Sequence, residues 1–156
     1  MSAVDQEAER AITNLLSRFF LAFDERDWDA MATLLAPEVF IDYASSGREE
    51  PSAMSGSAFV ARRRGAVDDL AKQHSYSNLL LSRDGESVTG RCNYLILRFA
   101  KSKPSVGEDF YHSCGSYRFS FQQDGNVWQI KSITQHALRS WGNSNLHGAS
   151  AQRSSR

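Results

Sequence analysis

Residues 20 to 43 read Phe20-Leu-Ala-Phe-Asp24-Glu-Arg-Asp27-Trp28-Asp-Ala-Met-Ala-Thr-Leu-Leu-Ala-Pro37-Glu-Val-Phe-Ile-Asp42-Tyr43, and they set a carboxylate where a helix should bury apolar surface. Upstream, Ala8, Ile12, Leu15, Leu16, Phe19, Phe20 and Phe23 recur at the spacing of an amphipathic helix with one inward face. Asp24 stands four residues after Phe20 and eight after Leu16, so it continues that stripe where the helix ends. A carboxyl desolvated among aromatic rings holds its proton more tightly unless a neighbour stabilises the charged form, which is how a general base is tuned. Asp27 has a plainer role. It precedes Trp28, Met31, Leu34 and Leu35, the buried side of a second short helix, and fits its N-cap. That leaves Asp24 without a local task; a functional site or a structural network would each account for it.

Beyond this stretch, Pro37 is expected to stop the second helix, and Val39, Ile41 and Tyr43 fall on one face of a strand, carrying Tyr43 toward the interior that Asp24 faces. Residues 44 to 57 read as a loop or lid, and a third helix is expected from Ser57 to Lys72. Phe59, Val60, Val67 and Leu70 form its buried side, and Arg62-Arg63-Arg64 its solvated surface. Strand patterns follow over His74 to Ser82, Arg91 to Ala100, Phe110 to Gln122 and Val127 to Leu138. Asp84-Gly85 and Asp124-Gly125 mark two hairpins, and Lys101 to Glu108 a longer loop. Three helices followed by an antiparallel meander imply an α+β domain in which a curved sheet closes over the helices. One domain over residues 1–143 and a polar, flexible tail over 144–156 are expected.

Eighteen basic and eighteen acidic residues cancel. No electrostatic footprint for nucleic acid results, and no apolar run is long enough to span a bilayer, so neither nucleic acid nor membrane is an expected partner. The N-terminal stretch is acidic and polar where a secretory signal is basic and then apolar, which points to the cytoplasm. Cys92 and Cys114 lie in apolar strand-like segments and read as reduced core residues.

The polar residues that could do chemistry gather on the strands. Alternation puts His74, Tyr76 and Asn78 on one face at the start of the meander, a polar wall suited to a cavity. An Asp that orients a His forms a proton-transfer pair working near neutral pH. On the next strand Cys92, Tyr94, Ile96 and Arg98 share a face, with Arg98 either at the pocket or at the solvent edge; Tyr117, two strands on from His74, is a hydrogen-bond donor or core. His112 and His136 read as ordinary sheet residues, and His147 as solvent-exposed in the tail. No phosphate loop, nucleophile elbow or paired-cysteine zinc pattern occurs.

Phe23-Asp24-Glu-Arg-Asp27-Trp28-Asp-Ala, Leu35-Ala-Pro37, Ile41-Asp42-Tyr43, Gln73-His74, Gly115-Ser-Tyr117 and Asp124-Gly-Asn-Val-Trp128, in this order, resemble the SnoaL-like branch of the nuclear transport factor 2-like superfamily, nearest the scytalone dehydratase pattern. The resemblance implies a cone-shaped barrel of curved, mainly antiparallel sheet on three helices around an apolar cavity. It also implies a cofactor-free mechanism and a dimer or trimer paired through sheet faces. In scytalone dehydratase and hexachlorocyclohexane dehydrochlorinase an Asp and a His at the positions of Asp24 and His74 lie in the pocket, and the tyrosine matching Tyr43 helps polarise substrate in the former. Departures are visible: Arg98 stands where a second pocket histidine is expected, Phe23 replaces a tyrosine, and Cys114 to Tyr117 offers a different polar set. Activity on scytalone is therefore not expected.

The expectation is a lyase or isomerase acting on a small, apolar, oxygenated molecule of polyketide, steroid or terpenoid type. Asp24 and His74 would move the proton, and Tyr43, Arg98, Tyr117, Tyr94, Phe20 and Asn78 would bind substrate. A non-catalytic binding or assembly module and an epoxide hydrolase or cyclase are the alternatives.

Overall fold

The computed structural model describes residues 2–66 and 68–147. Helix α1, Gln6–Glu25, starts at Asp5, whose side chain accepts a bond from the Ala8 amide, and it buries Ala8, Ile12, Leu15, Leu16, Phe19 and Phe20 along one side. It ends because Arg26 turns into the left-handed region at φ 54°, its amide capping the last carbonyls. The Arg26 side chain then donates to the carbonyls of Asp68 and Leu70. This tie fixes where the chain enters its third strand relative to the end of α1.

Helix α2, Trp28–Ala32, is capped by Asp27, which accepts from Ala30 N at 3.0 Å, as the sequence reading expects. Pro37 does not stop it. The helix closes at Thr33, and strand β1 already spans Leu35–Asp42 with Pro37 inside it. Proline is tolerated there because the neighbouring strand pairs only with Glu38 to Ile41, leaving one flank of Pro37 without a ladder. Val39, Ile41 and Tyr43 are buried together as the alternation requires.

The expected loop over residues 44 to 57 contains a short strand, β2, Ser52–Ser55, antiparallel to β1; Ser-Ala-Met-Ser carries too little apolar alternation to announce it. Helix α3, Gly56–Gly65, is shorter than expected. A side chain at Gly56 would meet Ala36 O at 2.8 Å, so this glycine lets the helix start against β1. Beyond Gly65, Asp68 accepts from the Leu70 amide and holds a turn, so Leu70 is buried outside any helix, and Val67 lies outside the described residues. Arg63 departs from the solvated reading. Its guanidinium covers the rings of Tyr43 at 5.4 Å and Phe59 at 5.0 Å.

Four long strands complete the fold: β3 Ala71–Asp84, β4 Ser87–Phe99, β5 Tyr111–Asp124 and β6 Val127–Gly142. Hairpins turn at Gly85 and Gly125, both at φ 59°, where glycine is favoured. The order is β2-β1-β6-β5-β4-β3, antiparallel throughout except for the parallel pairing of β1 with β6. The result is an α+β fold, three helices on a curved sheet that stays open instead of closing into a barrel. Phe19 and Phe20 of α1 pack against Phe119 and join helix and sheet in one core. The loop after β4 is pinned, since the buried Asn143 amide donates to Val106 O and Glu108 O.

Candidate active site

Asp24 and His74 meet where α1 ends and β3 begins. The His74 amide donates to both carboxylate oxygens of Asp24, at 2.9 and 3.1 Å, and its Nδ1 lies 2.5 Å from Asp24 Oδ1. Because β3 is the edge of the sheet, that amide points away from β4 and would otherwise lack a partner. The carboxylate therefore holds both the backbone and the ring. The contact assigns the hydrogen to Nδ1 and the lone pair to Nε2, the form a general base requires.

The surroundings are aromatic. Phe20 and Phe23 pack on the imidazole with centroids at 5.8 and 5.3 Å, and the two polar side chains are only 9% and 15% exposed. Burial lowers the His74 pKa below 6.5; the bond to Asp24 opposes this, while Arg98 and Lys72 add to it. The ring is thus neutral near pH 7.

Sheet register places the other candidates on the same concave face. Phe20 lies 5.7 Å from Tyr117, and Tyr117 4.6 Å from Tyr94, so the aromatic wall continues from the dyad across β4 and β5. Tyr117 Oη accepts from Gln135 Nε2 at 3.0 Å, and Gln135 in turn binds Ser46, while Ser45 Oγ donates to Gln135 O at 2.6 Å. Burial raises the pKa of Tyr43, and burial with its tyrosine neighbours raises that of Tyr117, so both stay protonated and able to donate. Arg98 turns inward, and its Nη1 donates to Ser113 Oγ at 2.9 Å.

Asn78 does not join them. The ladder between β3 and β4 slips between Ser77 and Leu80, Asn78 adopts φ 55° in the bulge, and its side chain is exposed. A bulge resets alternation, so the pattern beginning at His74 stops before it reaches Asn78. Tyr76 remains inward but places its hydroxyl 3.2 Å from Ser17 Oγ on α1. His147, expected in solvent, packs on Tyr111 at 5.6 Å and lies 2.7 Å from Arg48 Nη2; burial first, then the surrounding cations, bring it to about 3.

Sequence reading missed Gln135, Ser113 and Lys72. Each occupies an inward position of its strand, and Lys72 precedes His74 by two residues, so the same alternation carried one step further finds all three. Cys92 and Cys114 are both free thiols, and burial pushes Cys92 up to about 11, leaving it an inert core residue. Among the described residues no group of three His, Cys, Asp or Glu side chains is placed to hold a metal ion. Surface clefts of about 430 Å³, lined by Ala32, Val60 and Arg64 among others, and about 490 Å³, along the Ala100 to Asp109 loop, do not touch Asp24 or His74. Around the dyad the rings of Phe20, Phe23, Tyr94 and Tyr117 form the aromatic wall that a ligand would meet.

Residues 5–134 match the model of the SnoaL-like domain, and the chain belongs to that family. The fold is shared with a protein of Kribbella flavida at 19% identity, covering 91% of this chain and 98% of that one with a TM-score of 0.78. It is also similar to a candidate scytalone dehydratase of Novosphingobium aromaticivorans at 15% identity, covering 87% of each chain with a TM-score of 0.73. A third likeness is to the beta subunit of a candidate aromatic-ring-hydroxylating dioxygenase of the same organism, at 20% identity over 86% of this chain and 92% of that one, TM-score 0.64. No curated protein matches the sequence significantly. At these identities the structural likenesses establish the fold alone. No helix among the described residues is long and apolar enough to cross a membrane.

Proposed function

We propose that the protein is a lyase or isomerase that works by proton transfer between Asp24-oriented His74 and a small oxygenated substrate. The observation that carries this reading is the 2.5 Å contact of His74 Nδ1 with Asp24 Oδ1 inside an aromatic wall. Nε2 takes a proton from the carbon next to a carbonyl. The electron pair of that C–H bond forms the new carbon–carbon double bond while the carbonyl π pair moves to oxygen, and Tyr43, with Tyr117 or Arg98, steadies the enolate. If a hydroxyl occupies the next carbon, collapse of the enolate breaks the C–O bond, and His74 returns its proton to the departing oxygen, releasing water. Without such a leaving group, return of the proton to another carbon shifts a double bond. The dyad, and not the fold shared alike with a candidate scytalone dehydratase and a dioxygenase beta subunit, supports this choice of chemistry over a scaffold role.

The test uses a panel of β-hydroxy ketones and unconjugated enones, followed by absorbance of the conjugated product and by deuterium uptake from solvent. Exchange reports proton abstraction even where elimination is slow. His74→Asn should lower either signal by about 10²- to 10⁴-fold. Full activity in that variant would remove the assignment. Ligands bound by the wild type but recovered unchanged and unexchanged would favour a non-catalytic binding module. Leu95, Phe99 and Trp141 are exposed on the outer sheet face, and pairing of copies through it would cover them. Sedimentation of wild type against Trp141→Glu checks this, with a monomeric wild type as the opposing result.

A further inference from the structure

Arg98 is a buried cation that has no anionic partner among the described residues. It is 7% exposed, and its Nη1 donates to Ser113 Oγ at 2.9 Å and to Tyr111 O at 3.4 Å, both neutral acceptors. Among the described residues no ion pair includes it. Taking a charge out of water without a counter-ion is strongly unfavourable.

Further cations crowd the same end of the concave face. Lys72 is the direct cross-strand neighbour of Arg98. Arg63 reaches in from α3 with its Nε buried and unbonded. Arg48 arrives through His147, which packs on the Tyr111 ring that Arg98 also covers at 5.7 Å. Of the nearby carboxylates, Asp68 is paired with Lys72 and Arg26 and Glu49 with Arg62, while Asp24 is turned to hydrogen bonds from the neutral His74 and not to Arg98. The excess is local, because the whole chain carries 18 basic and 18 acidic residues. Burial, then Arg98, Arg48, Arg26 and Arg63, bring Lys72 down to about 7, a sign of the same crowding.

We infer that this end of the concave face is an anion subsite and that the substrate is an organic acid whose carboxylate is held by Arg98 with Lys72 beside it. A planar guanidinium bonded through one nitrogen retains donors in the fork that a carboxylate matches. Register sets the reach. Ser113, to which Arg98 donates, pairs with Ile96, and Ile96 pairs with His74, so the guanidinium lies in the row of the dyad. Two strand spacings separate the backbones at the ends of that row, about 10 Å, so one small molecule can present its carboxylate to Arg98 and a C–H bond to His74.

The inference rests on the concave face being the ligand site, as proposed above, but not on proton transfer. Its test is binding, read by calorimetry and thermal shift of the full chain with cinnamate, mandelate and cyclohexanecarboxylate, each against its primary amide. At least one acid should bind about 10- to 100-fold tighter than its amide, the range expected for a charge-assisted bond. Arg98→Gln should abolish that preference and Arg98→Lys retain part of it. Equal binding of acid and amide, absence of acid binding at millimolar concentration, or an Arg98→Gln protein with the preference intact overturns the subsite. Should Arg98→Gln not fold, Lys72→Met must weaken the acid selectively, and an unchanged preference there overturns it too. A wild-type preference for the acid with no turnover and no solvent exchange of any acid or neutral ligand keeps the subsite and removes the lyase. Turnover confined to neutral substrates does the reverse.

Discussion

Strand β4 meets the interior at both ends, and the two ends differ in content. At its start Val88 and Cys92 lie among Phe119, Phe121, Ile130 and Ile133, all nearly inaccessible to water and purely apolar apart from one thiol. Toward its other end Tyr94, Ile96 and Arg98 face Lys72, His74, Ser113 and Tyr117, and nearly every side chain carries a polar group. The backbone is the same twisted ladder. What changes is the cost of the residues: the first end gains stability from burial, while the second sets cations and an acid–base pair where burial is unfavourable. A fold tolerates such a region where its use outweighs its cost.

Substitutions can break this division or sharpen it. The largest effect belongs to the polar end, where His74→Asn should lower kcat/KM on the substrate found by screening by the 10²- to 10⁴-fold given above while changing the unfolding free energy by only about 1–3 kcal/mol. Phe121→Ala at the apolar end should reverse the pattern, costing about 3–5 kcal/mol in a denaturant titration with unchanged turnover per folded molecule. If Phe121→Ala loses turnover as severely as His74→Asn, the two ends are not separable. Asp24→Asn should show both effects in smaller measure. The amide oxygen still accepts from the His74 backbone, so stability falls by about 1.5–3 kcal/mol, and the ring loses its charged partner.

The smallest effect is with pH. The folded protein lowers the His74 pKa from its ordinary 6.5, so the unfolded chain binds the proton more readily. This contribution to stability is complete above 6.5 and is lost as pH falls through the lower folded value. Thermal unfolding of wild type and His74→Asn should converge toward acid pH on this account, and kcat/KM should fall on the same side as the base protonates. A wild-type profile that rises toward acid would contradict a neutral His74.

Much of this was legible because alternation and helical spacing report burial directly. The stripe on α1 placed Asp24 inward, and the Asp27 cap left Asp24 without a capping role, with a site and a structural network both still able to account for it. Alternation on β4 turned Arg98 inward as one of two readings, and burial selects it. Three features escaped for physical reasons. The bulge at Asn78 shifts register without a sequence mark. Strand β2 owes its state to pairing with β1, and its own composition says little. Arg63 looked solvated beside two other arginines, yet the rings of Tyr43 and Phe59, brought together only by the fold, shelter it.

The bond from the His74 amide to Asp24 also matters for what the sheet does not do. Strand β3 is an outer strand of 14 residues, long enough to template the addition of another chain. Ser2 blocks it at Arg83 with a pair of backbone bonds, each 3.0 Å, the bulge kinks it at Asn78, and Asp24 occupies the donor at His74. The carboxylate that orients the imidazole thereby also takes one of the outward backbone donors of that strand, so loss of Asp24 would free a position for strand addition as well as remove the chemistry.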